Sequence, residues 1–184
     1  MILNLKKNKE IISWSMYDFA NQPFTTLIVT FIFSAFFTES LAENNQIGTS
    51  QWSLGISITA ILVAIFSPLL GALADSGGYR KVFLILSTYI CILATIGLYF
   101  FEPDQIYIVL GTFLGFDFNF QFPVSIVALI VFIIANIGFE FGTVFCNSYL
   151  SDLSNKKNMG KVSGYAWGLG FVGGLISLAI SFIF

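Results

Sequence analysis

The chain contains no histidine. Ser-His and Cys-His catalysis and histidine-held metals are excluded together. Charge is nearly as scarce. Asp, Glu, Lys and Arg supply 10% of the 184 residues, where a soluble domain carries roughly 25%. So thin a charge cannot coat a globule in water, and the main solvent has to be lipid. Only two cysteines are present, Cys91 and Cys146. Both fall inside apolar runs, which makes them small hydrophobes rather than a disulfide framework. The net charge of −2 offers no basic face, so nucleic acid is not an expected partner. Neither a metal nor an organic cofactor is implied, and no catalytic constellation stands out. The expectation is a protein that is not an enzyme.

What the chain has is apolar length: 57% of its residues are hydrophobic. A spanning helix needs about 20 apolar residues. Five stretches reach that length, at 12–38, 52–74, 82–101, 123–150 and 162–184. The start MILNLKKNKE is basic, but the run behind it is too long for a signal-peptide core and reads as a retained span. Residues 106–116 are apolar too, yet eleven residues are too few to cross. The charges decide their fate. All eight basic residues lie at Lys6, Lys7 and Lys9, at Arg80 and Lys81, and at Lys156, Lys157 and Lys161. Five spans put these three groups on one side, and a sixth near 106–120 would split them. The bias of Lys and Arg toward the cytoplasm then orients the chain. The expectation is an all-α, multi-pass protein of a cell (inner) membrane with a cytoplasmic N-terminus. Residues 103–122 are expected as an outer interfacial or re-entrant segment.

The turn GALADSGGYRK, from Gly71 to Lys81, joins the second and third spans. Glycines for tight turning and basic residues for orientation explain Gly77, Gly78, Arg80 and Lys81. They do not explain Asp75, which sits at a helix C-terminus where the macrodipole disfavours a carboxylate by about 0.3–1 kcal/mol. An acid kept there needs a partner outside its own helix.

This turn resembles the loop 2–3 signature of the major facilitator superfamily of secondary transporters. Gly71, Leu73, Ala74, Asp75, Gly78, Arg80 and Lys81 match it, and Tyr79 stands where a basic residue is usual. SWSMYDFANQPFTT at 13–26 is similar to the start of a subgroup named for a vacuolar amino-acid effluxer of autophagy. Residues 136–153 and 160–174 resemble the fourth and fifth spans of the same subgroup, with Lys161 in place of the usual Arg and Cys146 in place of the usual Tyr. The resemblance implies secondary transport of a small polar solute, with amino-acid efflux one candidate. It also implies that Gly71, Asp75, Gly78, Arg80 and Lys81 form a cytoplasmic latch against a C-terminal half.

Polar side chains at lipid depth are costly and usually functional. Trp14, Asp18, Asn21 and Thr25 follow one another by four, three and four residues and share one helical face. Asn136, Glu140, Thr143 and Asn147 repeat that spacing in the fourth span. A helix with a single polar stripe turns it toward a cavity, and the resemblance implies that these two spans line the substrate path. Asp18, Asn21, Asn136, Glu140 and Asn147 are therefore candidate solute or proton ligands. Three alternatives stay open: Asp18 as an interfacial N-cap, Glu140 as a structural hydrogen-bonding group, and Asn136 and Asn147 as hydrogen-bonding glue between helices. Gly160, Gly164 and Gly168, four apart, and then Gly170, Gly173 and Gly174 predict a close-packing face on the fifth span. They do not form a nucleotide loop, since no strand precedes them and no Lys-Ser/Thr follows.

A complete transporter of this kind has two six-span halves with the site between them. Five spans are expected here, a half cut before its sixth. The expected partners are the bilayer, a small polar solute, protons, and a C-terminal half or second chain. The alternative is a short or half-size membrane protein with a structural or assembly role and no transport of its own.

Overall fold

The computed structural model describes residues 2–113 and 116–183. Five helices are long and apolar enough to cross a bilayer: Asn8–Leu41, Asn45–Gly77, Arg80–Leu98, Val124–Leu153 and Met159–Ser181. These are spans one to five, and the protein is an integral, multi-pass membrane protein. The expected last residue of span five, 184, lies outside the described residues. Span one is composite. Its α1 (Ile2–Pro23) passes at Pro23 into π-helical turns over Phe24–Phe31, then a short α2 (Phe33–Phe36) and further π turns over Phe37–Leu41. Span two is α3 (Asn45–Gly77) and span three is α4 (Arg80–Leu98). Span four joins α5 (Val124–Ser148) to α6 (Leu150–Leu153), and span five is α7 (Met159–Ser181).

Helix ends explain where the spans start and stop. Span two begins at Asn45, ahead of the expected 52, because Asn44 caps it: its side chain accepts from the Ile47 amide at 2.9 Å. The helix stops at Gly78, which adopts φ 68°, a left-handed conformation that glycine takes without a Cβ penalty. The Tyr79 amide then donates back to the Ala74 carbonyl at 3.0 Å, the bond that closes a Schellman ending.

The spans pair as α4 along α5, α1 along α7, and α3 along α5. At one end of the bundle Phe33, Phe37, Leu41, Leu129 and Phe132 pack around Trp52. Trp52 stacks on Phe132 with ring centroids 3.9 Å apart. At the other end Trp14, Cys146, Val162 and Ala166 form a smaller cluster.

The segment expected as interfacial or re-entrant is an antiparallel hairpin, β1 (Ile106–Phe113) and β2 (Phe116–Pro123). Its ends pair Ile106 with Pro123 and Phe113 with Phe116. Phe116, Phe118, Phe120 and Phe122 alternate with Asp117, Asn119 and Gln121, a period of two that belongs to a strand. Pro123 supplies the helix-entry position and the Val124 amide donates to the Gln105 carbonyl at 3.1 Å, fixing the hairpin base to span four.

Candidate functional site

Two of the contacts between spans one and four flank a polar cleft. At one point the Trp14 indole Nε1 donates to the Cys146 carbonyl at 2.8 Å. At the other, Phe24 stacks on Phe139 with centroids 5.1 Å apart. Between these bridges lies a cleft of about 220 Å³ lined by Asp18, Asn21, Gln22, Thr143, Asn147 and Ser163, with the Trp14 and Trp167 rings at its wall. The two polar stripes meet here, span one supplying Asp18 and Asn21, span four Thr143 and Asn147. Thr143 is occupied, donating to the Phe139 carbonyl at 3.1 Å. Among the described residues, Asp18, Asn21, Gln22 and Asn147 make no side-chain hydrogen bond or ion pair.

Asp18 lies inside the continuous helix α1, about 15 Å in from Asn8 at 1.5 Å per residue. The N-cap alternative does not apply to it. Glu140 and Asn136 stand apart from the cleft lining. Asn136 is buried at 5% exposure against its neighbours. Glu140 is half-buried and makes no hydrogen bond or ion pair among the described residues. It sits about 24 Å from the Val124 end and about 20 Å from the Leu153 end of span four at 1.5 Å per residue. Thr25 leaves the stripe. Past Pro23 the backbone widens into π turns bonded over five residues rather than four, so the α-helical period fails. Thr25 then faces span five together with Thr26 and Thr30, and Thr30 donates to the Thr25 carbonyl at 2.9 Å.

The contact between spans one and five uses the second part of the expected glycine face. Nothing stands within 4 Å of where a Cβ would lie at Gly160, Gly164 or Gly168. The close approach is made by Gly170, Gly173 and Gly174, set against Asp18, Phe19 and Thr26. Pro23 has no amide to bond the Phe19 carbonyl, and Gly173 is the residue that comes up against that oxygen.

At the loop end, Arg80 Nε donates to Asp75 Oδ1 at 2.5 Å, so the acid finds its partner five residues on. Arg80 Nη1 also donates to Asp152 Oδ2 at 2.9 Å. Asp152 was not among the sequence candidates, because loop 4–5 was read for its lysines alone. Ala74 is buried at 1% exposure, while nothing stands within 4 Å of a Cβ at Gly71. Lys81 makes no ion pair among the described residues. Gln22 and Ser163 were missed too. Gln22 follows Asp18 by four residues and the spacing alone would have included it.

A family model described as vacuole effluxer Atg22 like matches residues 40–161. A relative described as an uncharacterized MFS-type transporter, YxiO of Bacillus subtilis (strain 168), is 27% identical over 172 residues. That alignment takes in 92% of this chain and 36% of the relative. The chain thus spans about a third of the length of the curated relative it matches. No solved structure matches.

Proposed function

The chain belongs to the vacuole effluxer Atg22-like family, and from that premise we propose that it forms one wall of the solute path in a secondary transporter. The solute is small and polar, with an amino acid the first candidate, and its movement is coupled to protons. The observation that carries this reading is the cleft. Four polar side chains without protein partners face one cavity at membrane depth. Such groups are costly in hydrocarbon, so their retention supports the passage of a polar solute with its water. Among the described residues no basic side chain lines the cleft, which disfavours phosphate-like anions that call for Arg. In this reading Asp18, Asn21 and Asn147 hold the solute, Asn136 braces span four from within, and Glu140 carries the proton.

The path is completed by a second helical bundle, a C-terminal half or a second chain. Trp167 is 78% exposed at the cleft wall, and the open face at Gly160, Gly164 and Gly168 lies on the same helix. The latch of Asp75, Arg80 and Asp152 meets that bundle at the cytoplasmic face, where the basic residues place it.

Flux measured in cells that express the protein from its own locus, with and without an imposed pH gradient, tests this reading. Glu140→Gln keeps the side-chain shape but cannot titrate. It is expected to abolish gradient-driven flux while leaving the protein level unchanged. Normal flux in this variant would assign Glu140 a structural role. Normal flux in Asp18→Asn and Asn147→Ala as well would end the reading of the cleft as a solute path.

A further inference from the structure

The end of the bundle away from Arg80 holds a second and larger cavity, of about 560 Å³. It opens where the link between spans one and two meets the base of the hairpin. Leu41, Ile47, Ile106 and Val124 form its apolar wall, and Glu43, Gln51, Asp104 and Ser125 bring polar atoms to it. Two of these groups lack a protein partner among the described residues, and one of them is sealed from solvent. Ser125 is only 4% exposed, and its hydroxyl makes no hydrogen bond among the described residues. Gln51 Oε1 is shut off from solvent and also has no partner. A buried polar atom left in this state costs about 1–3 kcal/mol. Gln105 on the same wall is already engaged, its Oε1 accepting from the Glu102 amide at 3.2 Å and from the Tyr107 hydroxyl at 3.0 Å.

The charge is equally one-sided. Glu43 and Asp104 make no ion pair among the described residues. Every Lys and Arg of the chain belongs to the N-terminus or to the turns at 80–81 and 156–161, at the far end of the spans. The cavity therefore presents two carboxylates and a hydroxyl, with no cation among the described residues. Among the described residues no three His, Cys, Asp or Glu side chains group closely enough to hold a metal ion. The complement is instead a cation that carries its own N–H donors and a short hydrocarbon body. The volume suits a small molecule, since ligand pockets run to about 300–1,000 Å³. We propose that this cavity is a binding site for a small organic ammonium ion. Its nitrogen is held by Glu43, Asp104 and the Ser125 hydroxyl and its hydrocarbon lies against Ile47, Ile106 and Val124. This site is separate from the cleft at Asp18 and does not depend on it.

Saturation-transfer NMR on the 184-residue chain in zwitterionic nanodiscs tests the proposal, with benzylammonium as probe and benzoate and benzyl alcohol as controls. Benzylammonium is expected to give protein-dependent transfer, and the controls at least threefold less. Glu43→Gln combined with Asp104→Asn removes both charges and keeps both shapes. Asp104 has φ 64°, a conformation that Asn also tolerates. This double variant is expected to lower the benzylammonium signal at least threefold, and Glu10→Gln, which removes an exposed carboxylate outside both cavities, to leave it unchanged. Equal transfer from benzoate, or an unchanged signal in the double variant, overturns the proposal. A signal lost in Asp18→Asn but kept in the double variant also overturns it, and moves the binding to the polar cleft.

Discussion

Replacing Gly173 with alanine tests which glycines hold span five to span one. A Cβ at Gly173 runs into the Phe19 carbonyl oxygen, with the carbonyl carbon at 3.0 Å and Phe19 Cα at 3.2 Å. All three obstacles are backbone, so no rotamer change relieves the clash and α7 has to shift off α1. Overpacking of this kind costs about 1–3 kcal/mol, with a rigid obstacle placing it at the upper end. The better helix propensity of alanine offsets about 0.5–1 kcal/mol. The net loss is about 2 kcal/mol, or roughly 4–8 °C in Tm for a chain of this size. Gly164→Ala is the matched control. Its Cβ meets nothing within 4 Å, so only the propensity gain remains and Tm holds or rises by about 1–4 °C. The chain carries its own reporters. Cys91 and Cys146 are 6% and 2% exposed, and a thiol-reactive dye fluoresces as each is uncovered on heating in detergent. If Gly164→Ala melts as early as Gly173→Ala, or Gly173→Ala melts with the parent chain, the packing face has been assigned to the wrong glycines.

Two further predictions use the same protein. Asp75→Asn and Asp152→Asn each remove one negative charge from beside Arg80. The acids are 57% and 63% exposed, so each change is expected to cost no more than about 1 kcal/mol in the isolated chain. A loss on the order of 3 kcal/mol in the same melt, the mark of a broken buried pair, would show that something already covers the latch. Single cysteines at Asn45 and Asn155, in a chain lacking Cys91 and Cys146, are expected to react with an impermeant maleimide from opposite sides of the membrane. Labelling of both from one side would refute three crossings between them.

The spans were legible because a run of about 20 apolar residues requires lipid whatever its neighbours do. The meeting of Asp18 and Asn21 with Thr143 and Asn147 was foreshadowed by spacing, since a helical stripe is a local property of the chain. What spacing leaves open is the direction a small-residue face turns. The run at Gly160, Gly164 and Gly168 is as regular as any, but contact with α1 is decided by Phe19 and Pro23, about 150 residues away along the chain. Asp152 escaped for a related reason: it lies 72 residues from Arg80, and no periodicity links them. Thr25 was misplaced because the α-helical period was carried past Pro23 into π turns. The hairpin fell between two patterns, too short for a span and too aromatic to read as a loop.

Arg80 also sets an unequal tolerance to change within the latch. Its guanidinium engages one acid through Nε and another through Nη1, a geometry that a lysine ammonium cannot copy. Either acid can drift to another residue and leave the arginine a remaining partner. Loss of the arginine strands both acids at once and unties the turn after span two from the turn after span four. Over many generations Asp75 and Asp152 can therefore be exchanged one at a time, while Arg80 has no single-step substitute.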